Sequence, residues 1–144
     1  MRTIKSALEQ ASLLYTKCYC EENVYHLIKL LSTVSTLEKT FAVFISNPTR
    51  SIPIWCQKSS LDGQPVIWDY HVICLAKSKE WVIFDFDTTL PNPASFTDYI
   101  THALRPHVPL PLQLTRSYRI VSATDYLEHF ASDRTHMVFS LRYF

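Results

Sequence analysis

Apolar residues recur with a helical period early in the chain and with a strand period through its middle. Ile4, Ala7, Leu8, Ala11 and Leu14 fall near helical spacing, so residues 1–16 predict either a helix or a loosely anchored, variable arm. The pattern sharpens at Val24, Leu27, Ile28 and Leu31, which occupy i, i+3, i+4 and i+7 on one face of an amphipathic helix. Glu21 and Glu22 in its first turn and Lys29 near its last suit the helix macrodipole. Phe41–Ile45 then predicts a strand, Asn47-Pro48 a turn, and Ile52–Trp55 a second strand that closes a hairpin with the first. Pro53 confines that second strand to an edge or a bulge. After a turn at Asp62-Gly63, Val66–Leu75 predicts a central strand. Lys77–Lys79 predicts a tight turn, and Trp81–Phe86 the antiparallel return.

Further on, Phe96, Tyr99, Ile100 and Ala103 suggest a short helix, and Pro106–Pro111 an irregular crossing. Tyr118–Val121 reads as a strand, after which Ser122 or Thr124 caps a short helix over Tyr126, Leu127 and Phe130. Helices and strands do not alternate regularly, and there is no internal repeat. The expected class is therefore α+β, a mainly antiparallel sheet with packed helices, with residues 1–144 as a single domain.

Composition narrows the function by exclusion. Hydrophobic residues make up 47% of the 144, which is enough for a core. A net charge of +1, from 14 basic and 13 acidic residues without long blocks, points to neither nucleic acid nor a membrane surface. No apolar run approaches the ~20 residues of a membrane span. The basic N-terminus is followed by Glu9, Gln10 and Lys17 instead of a continuous apolar stretch, so a secretory signal is not expected. Four cysteines without a Cys-x-x-Cys pair suggest reduced thiols in a cytoplasmic or nuclear compartment. The single glycine, Gly63, excludes the glycine-built phosphate cradles.

Three segments carry candidate chemistry. His71 lies within an apolar strand run, an unusual place for a titratable ring. Cys20 falls at the predicted helix start, where unpaired N–H groups and the positive dipole end favour a thiolate; Cys18 lies outside that field. With a turn centred on Lys77-Ser78, His71 falls opposite Phe84, which leaves Asp85 directly or diagonally across from the imidazole. Asp85 and Asp87 alternate with aromatics and would share one sheet face, and Asp69 is a rival partner for His71. A thiol, an imidazole and a carboxylate are the parts of a cysteine-nucleophile hydrolase. Each residue also has a plainer reading. Free cysteines are ordinarily small buried hydrophobes, and buried histidines are often satisfied by a carbonyl. Cys18, Cys20, His71 and Asp85 are permissible zinc ligands, but a Cys-x-Cys pair with one distant histidine lacks the usual spacing, so no metal is expected. Cys18 and Cys20 are poorly spaced for a redox disulfide. Trp55, Trp68 and Trp81 read as core, with Trp68 able to wall a pocket, and the other five histidines as surface or structural.

The segments Cys18-Tyr19-Cys20-Glu21-Glu22-Asn23-Val24, Ala42–Asn47, Ile52–Trp55, Pro65–Val72 with its Trp68-Asp69-Tyr70-His71, Asp85-Phe86-Asp87-Thr88 and Phe130–Met137 resemble, in order, the protein N-terminal glutamine amidohydrolase family. The resemblance implies a papain- or transglutaminase-like core with no cofactor. It also implies a triad of Cys20 as nucleophile, His71 as base and Asp85 as orienting acid. The implied reaction converts an N-terminal glutamine of a protein to glutamate with release of ammonia, which prepares the substrate for arginylation and ubiquitin-dependent degradation. The implied partners are proteins or peptides with N-terminal Gln, bound by a monomer. Glu22, Asp69 and Asp87 are candidate acceptors for the substrate α-amine, with Trp68 as a candidate wall. Family members continue well beyond the Met137 motif, so this chain is expected to lack the family's C-terminal portion. A non-catalytic form that binds N-terminal peptides, or folds poorly, is the alternative.

Overall fold

The computed structural model describes residues 3–17, 19–34 and 39–132. Cys18, most of the Phe130–Met137 motif and Val138–Phe144 lie outside these described residues. Helix α1 spans Ile4–Leu13 and is capped by Thr3, whose hydroxyl accepts from the Ser6 N–H at 3.1 Å. Its buried residues are Ala7 and Ala11, small side chains at i and i+4 that let it lie close against α2, Cys20–Leu31. The apolar stripe of α2 is buried as its periodicity predicts: Val24, Leu27, Ile28 and Leu31.

The main sheet is antiparallel in the order β6-β5-β4-β1-β7, formed by β1 (Thr40–Ser46), β4 (His71–Lys77), β5 (Trp81–Phe84), β6 (Ala94–Ser95) and β7 (Ser117–Ser122). Alternation along the strands sends side chains to two separate cores. Ala42, Phe44, Val72, Cys74 and Phe84 pack with α1, α2 and α4 (Ala123–Ser132). Val43, Ile45, Ile73 and Ile83 pack with Ile52 and Ile54 of β2 (Ile52–Ile54), and with Tyr99, Ala103 and Leu104. Tyr99 ends α3 (Phe96–Tyr99), and Ala103 and Leu104 belong to the π-helical turn Ile100–Leu104 that follows it. The α+β class is as expected. The Ser122 hydroxyl, not Thr124, supports the start of α4 by accepting from the Asp125 N–H at 3.2 Å.

Four local expectations are corrected. First, β2 does not form a hairpin with β1; it pairs with β3 (Val66–Trp68) in a separate two-stranded sheet. Both sides of β1 are taken by β4 and β7, and Asn47 holds the loop leading away. Its side chain accepts from the Ser51 N–H at 2.9 Å and donates to the Ser51 carbonyl at 2.8 Å.

Second, the run Val66–Leu75 is two strands broken at Asp69-Tyr70, because β3 serves the small sheet and β4 the large one. His71 therefore opens β4 instead of sitting mid-strand.

Third, the β4–β5 register pairs Cys74 with Phe84 and Lys77 with Trp81, so Ser78-Lys79-Glu80 makes the turn. β5 ends at Phe84, which places Asp85 and Asp87 in the following turn and not on a strand face. Fourth, Trp81 is exposed at the end of its strand instead of lying in the core.

Candidate functional site

His71, the first residue of β4, lies beyond the end of β5, whose last residue Phe84 pairs with Cys74. The chain turns sharply at Asp85, so the Asp85 carboxylate folds back against the ring. His71 Nε2 donates to Asp85 Oδ1 at 2.9 Å, and both side chains are fully buried. The same Oδ1 accepts from the Asp87 N–H at 2.9 Å, while Oδ2 accepts from Gln57 Nε2 at 3.1 Å and from the Tyr99 hydroxyl at 2.7 Å. The Asn92 side-chain oxygen takes the Asp85 N–H at 3.2 Å and so fixes the turn itself. Asp69, the rival partner, is exposed in the break between β3 and β4.

Burial alone would push the Asp85 carboxyl up, but the His71 charge and hydrogen bond, then Gln57 and the Asp87 N–H, bring it down to about 2. Burial likewise works against a charged His71. The Asp85 charge and hydrogen bond outweigh it, joined by Cys20, and hold the imidazole well above its usual range. Burial and then Asp85 raise the Tyr99 hydroxyl, so it stays a donor.

The other ring nitrogen, His71 Nδ1, is buried with no hydrogen-bond partner among the described residues. The Cys20 thiol is near enough to the ring to contribute to raising it. Since Nε2 is engaged by Asp85, Nδ1 is the nitrogen left for the sulfur. Cys20 is the first residue of α2 and is buried in the helical core. Asn23, one turn on, clamps the approach to it by accepting from the Thr16 N–H and donating to the Thr16 carbonyl, both at 2.9 Å. Cys74, by contrast, is fully buried away from charge, and its thiol is pushed up to about 12.

Trp68 stacks on His71 with ring centroids 4.8 Å apart and planes inclined by 19°. Asp87 is buried, and its Oδ1 accepts from the Tyr15 hydroxyl at 2.6 Å. Glu22 faces outward on α2, 3.6 Å from His26. Glu21, beside Cys20, is raised by burial against the lowering effect of a hydrogen bond from Tyr70. Its carbonyl accepts from the Tyr126 hydroxyl at 2.6 Å.

Among the described residues, one group of possible ligand atoms, on His71, Asp85 and Asp87, lies within 4.8 Å, without Cys20. Its lone pairs are largely engaged by the donors above, so it is a hydrogen-bonded carboxylate network more than a coordination sphere.

Gln57, Tyr99 and Tyr15 did not stand out in the sequence. Tyr99 was legible only as part of an apolar stripe. Gln57 follows Trp55-Cys56 with no periodicity to mark it.

A thiol at a helix start beside a buried imidazole–carboxylate pair is the kind of grouping that cysteine-nucleophile hydrolases use. The chain belongs to the N-terminal glutamine amidase family, whose model matches residues 15–143. It is 47% identical over 127 residues to Protein N-terminal glutamine amidohydrolase of Danio rerio, covering 85% of this chain and 63% of that protein. The Homo sapiens protein of the same name is 42% identical over 127 residues, covering 85% and 62%. That of Arabidopsis thaliana is 41% identical over 140 residues, covering 91% and 63%. The chain thus spans less than two thirds of the length of these relatives. Among the described residues, no helix is long and apolar enough to cross a membrane.

Proposed function

We propose that this chain hydrolyses the side-chain amide of an N-terminal glutamine in protein or peptide substrates, giving glutamate and ammonia. The observation that carries the reading is the buried His71–Asp85 contact at 2.9 Å, with Cys20 acting on the same ring. The Cys20 thiolate attacks the substrate carboxamide carbon, forming a C–S bond. His71 passes its proton to the departing nitrogen as the C–N bond breaks and ammonia leaves. Water, giving a proton to His71, then attacks the thioester. The C–S bond breaks and the glutamate product departs. Asp85 keeps Nε2 protonated and supports the imidazolium. The Cys20 N–H, which no intrahelical bond uses at the first position of a helix, is suited to the oxyanion.

For the substrate α-ammonium, Asp87 is the strongest of the candidate acceptors, since one of its oxygens lies in a group with His71 and Asp85. Trp68, stacked on the imidazole, would wall the site on that side. Glu22 and Asp69, on the surface, would act only on residues beyond the first. The reading extends to a monomer in the cytoplasm and nucleus whose product feeds the N-degron pathway.

The test is to incubate the purified chain with a Gln-initiated peptide and follow ammonia and the amide-to-acid mass change. Both should appear, and an N-acetylated control should stay unchanged. A folded sample that binds the peptide without turnover would replace the reading with that of a binding module, and cleavage of internal bonds with that of a thiol protease.

A further inference from the structure

We infer that Gln57 is a positioning residue for this reaction: its side-chain amide joins the indole lying on the His71 ring to the carboxylate holding the ring's Nε2. The inference rests on the proposed function. The circuit is closed and short. Trp68 Nε1 donates to Gln57 Oε1 at 3.2 Å, Gln57 Nε2 donates to Asp85 Oδ2 at 3.1 Å, Asp85 Oδ1 accepts from His71 at 2.9 Å, and His71 stacks on Trp68. The indole N–H can only donate and an ionised carboxylate can only accept. These two partners therefore fix the amide's orientation without ambiguity, and among common side chains of this length only a protonated glutamate would offer one acceptor and one donor so placed.

The Gln57 backbone is anchored to the same turn that carries Asp85. Gln57 bridges to Thr88, the Lys58 N–H donates to the Asp87 carbonyl at 2.8 Å, and the Thr89 N–H donates to the Cys56 carbonyl at 2.7 Å. Gln57 is 1% exposed, so no water competes for either bond. The circuit sets both the plane of the imidazole and its tautomer, leaving Nδ1 for the sulfur.

Two substitutions test this. Gln57→Met keeps the length and loses both hydrogen bonds. It should lower kcat about 10- to 100-fold with KM little changed, the range for losing a hydrogen bond to a charged group. Gln57→Glu keeps the shape and, when protonated, still accepts from Trp68 and donates to Asp85. The groups facing this carboxyl pair are His71 from β4, Tyr99 from α3 and Asp87 in the same turn, with Tyr15 on Asp87 and Lys58 bonded to the Phe86 carbonyl. Two carboxyls sharing a buried site hold one proton to higher pH than either would alone. The Gln57→Glu enzyme should therefore work at acidic pH and lose activity as pH rises through that titration, where the wild type does not.

A second readout needs no turnover. The hydrogen-bonded Nε2 proton of His71, followed by NMR, should persist in the wild type and exchange faster in Gln57→Met. If Gln57→Met leaves kcat and this proton unchanged, or if the Gln57→Glu pH profile overlays the wild type, Gln57 has no positioning role. If the wild-type chain shows no turnover, the proposed reaction fails, and the NMR comparison still decides whether Gln57 holds the ring.

Discussion

The two sides of the His71 ring are built by different means. On the Nε2 side stands a dense polar network, in which Asp85 accepts from His71, the Asp87 N–H, Gln57 and Tyr99, all buried. On the Nδ1 side the ring has no hydrogen-bond partner among the described residues, and the Cys20 thiol at a helix start is near enough to act on it. A closed network resists rotation, whereas an open nitrogen beside a thiol is free to exchange a proton. Placing the ring at the first position of β4, still paired with β1 but beyond the reach of β5, leaves room on one side for the Asp85 turn, which a mid-strand histidine could not achieve.

The contrast predicts graded losses. Cys20→Ala removes the proposed nucleophile, so ammonia release should fall to background. Cys18→Ala should retain much of the wild-type rate, and the reverse result would move the nucleophile. Asp85→Asn strikes the closed side. Its amide cannot accept from every donor now aimed at the carboxylate, and it no longer compensates the imidazolium. A drop in kcat of about 10³- to 10⁴-fold is expected from removing the orienting charge of a triad. A rate within tenfold of wild type would show that Gln57 and Tyr99 fix the geometry without Asp85.

The closed side also sets an acid limit on the fold. The Asp85 carboxyl falls from its ordinary 3.8 to about 2 on folding. A depressed carboxyl contributes stability that is fully present above its unfolded value and is lost as pH falls through the folded one. That contribution, roughly 2 kcal/mol, should therefore disappear as pH falls from about 4 toward 2. Denaturant titrations over that range should show the decline in the wild type, and a shallower one in Asp85→Asn.

How much of this was legible in the sequence depended on whether the signal was local. The amphipathic stripe of α2 and the position of Cys20 at its start follow from residues within one helix, and both were readable. The β4–β5 pairing was readable too, but not its register, because a three-residue turn and a two-residue one have similar composition around Ser78. The break at Asp69-Tyr70 was hidden because β3 and β4 read as one apolar run. What divides them is the choice of different partner strands, β2 and β1, which no local pattern encodes. Gln57 was invisible for a related reason. A buried polar residue is defined by its partners, and Trp68, Asp85 and the Thr88 bridge are distant in sequence.

The smallest effect belongs to the open side. The Tyr70 hydroxyl acts on Glu21, next to Cys20, so Tyr70→Phe removes one polar interaction near the proposed nucleophile, just as Gln57→Met removes two near the proposed base. Tyr70 does not touch the imidazole's network, and α2 is held independently by Asn23 and by the Tyr126 bond to the Glu21 carbonyl. The cost should be at most about 1 kcal/mol of stability, the usual net worth of a hydrogen bond, with kcat within about threefold and an unshifted pH profile. Thermal unfolding and a rate–pH curve measure both. A Tyr70→Phe profile displaced as far as that of Gln57→Glu would show that the thiol side governs the proton on His71 as strongly as the carboxylate side does.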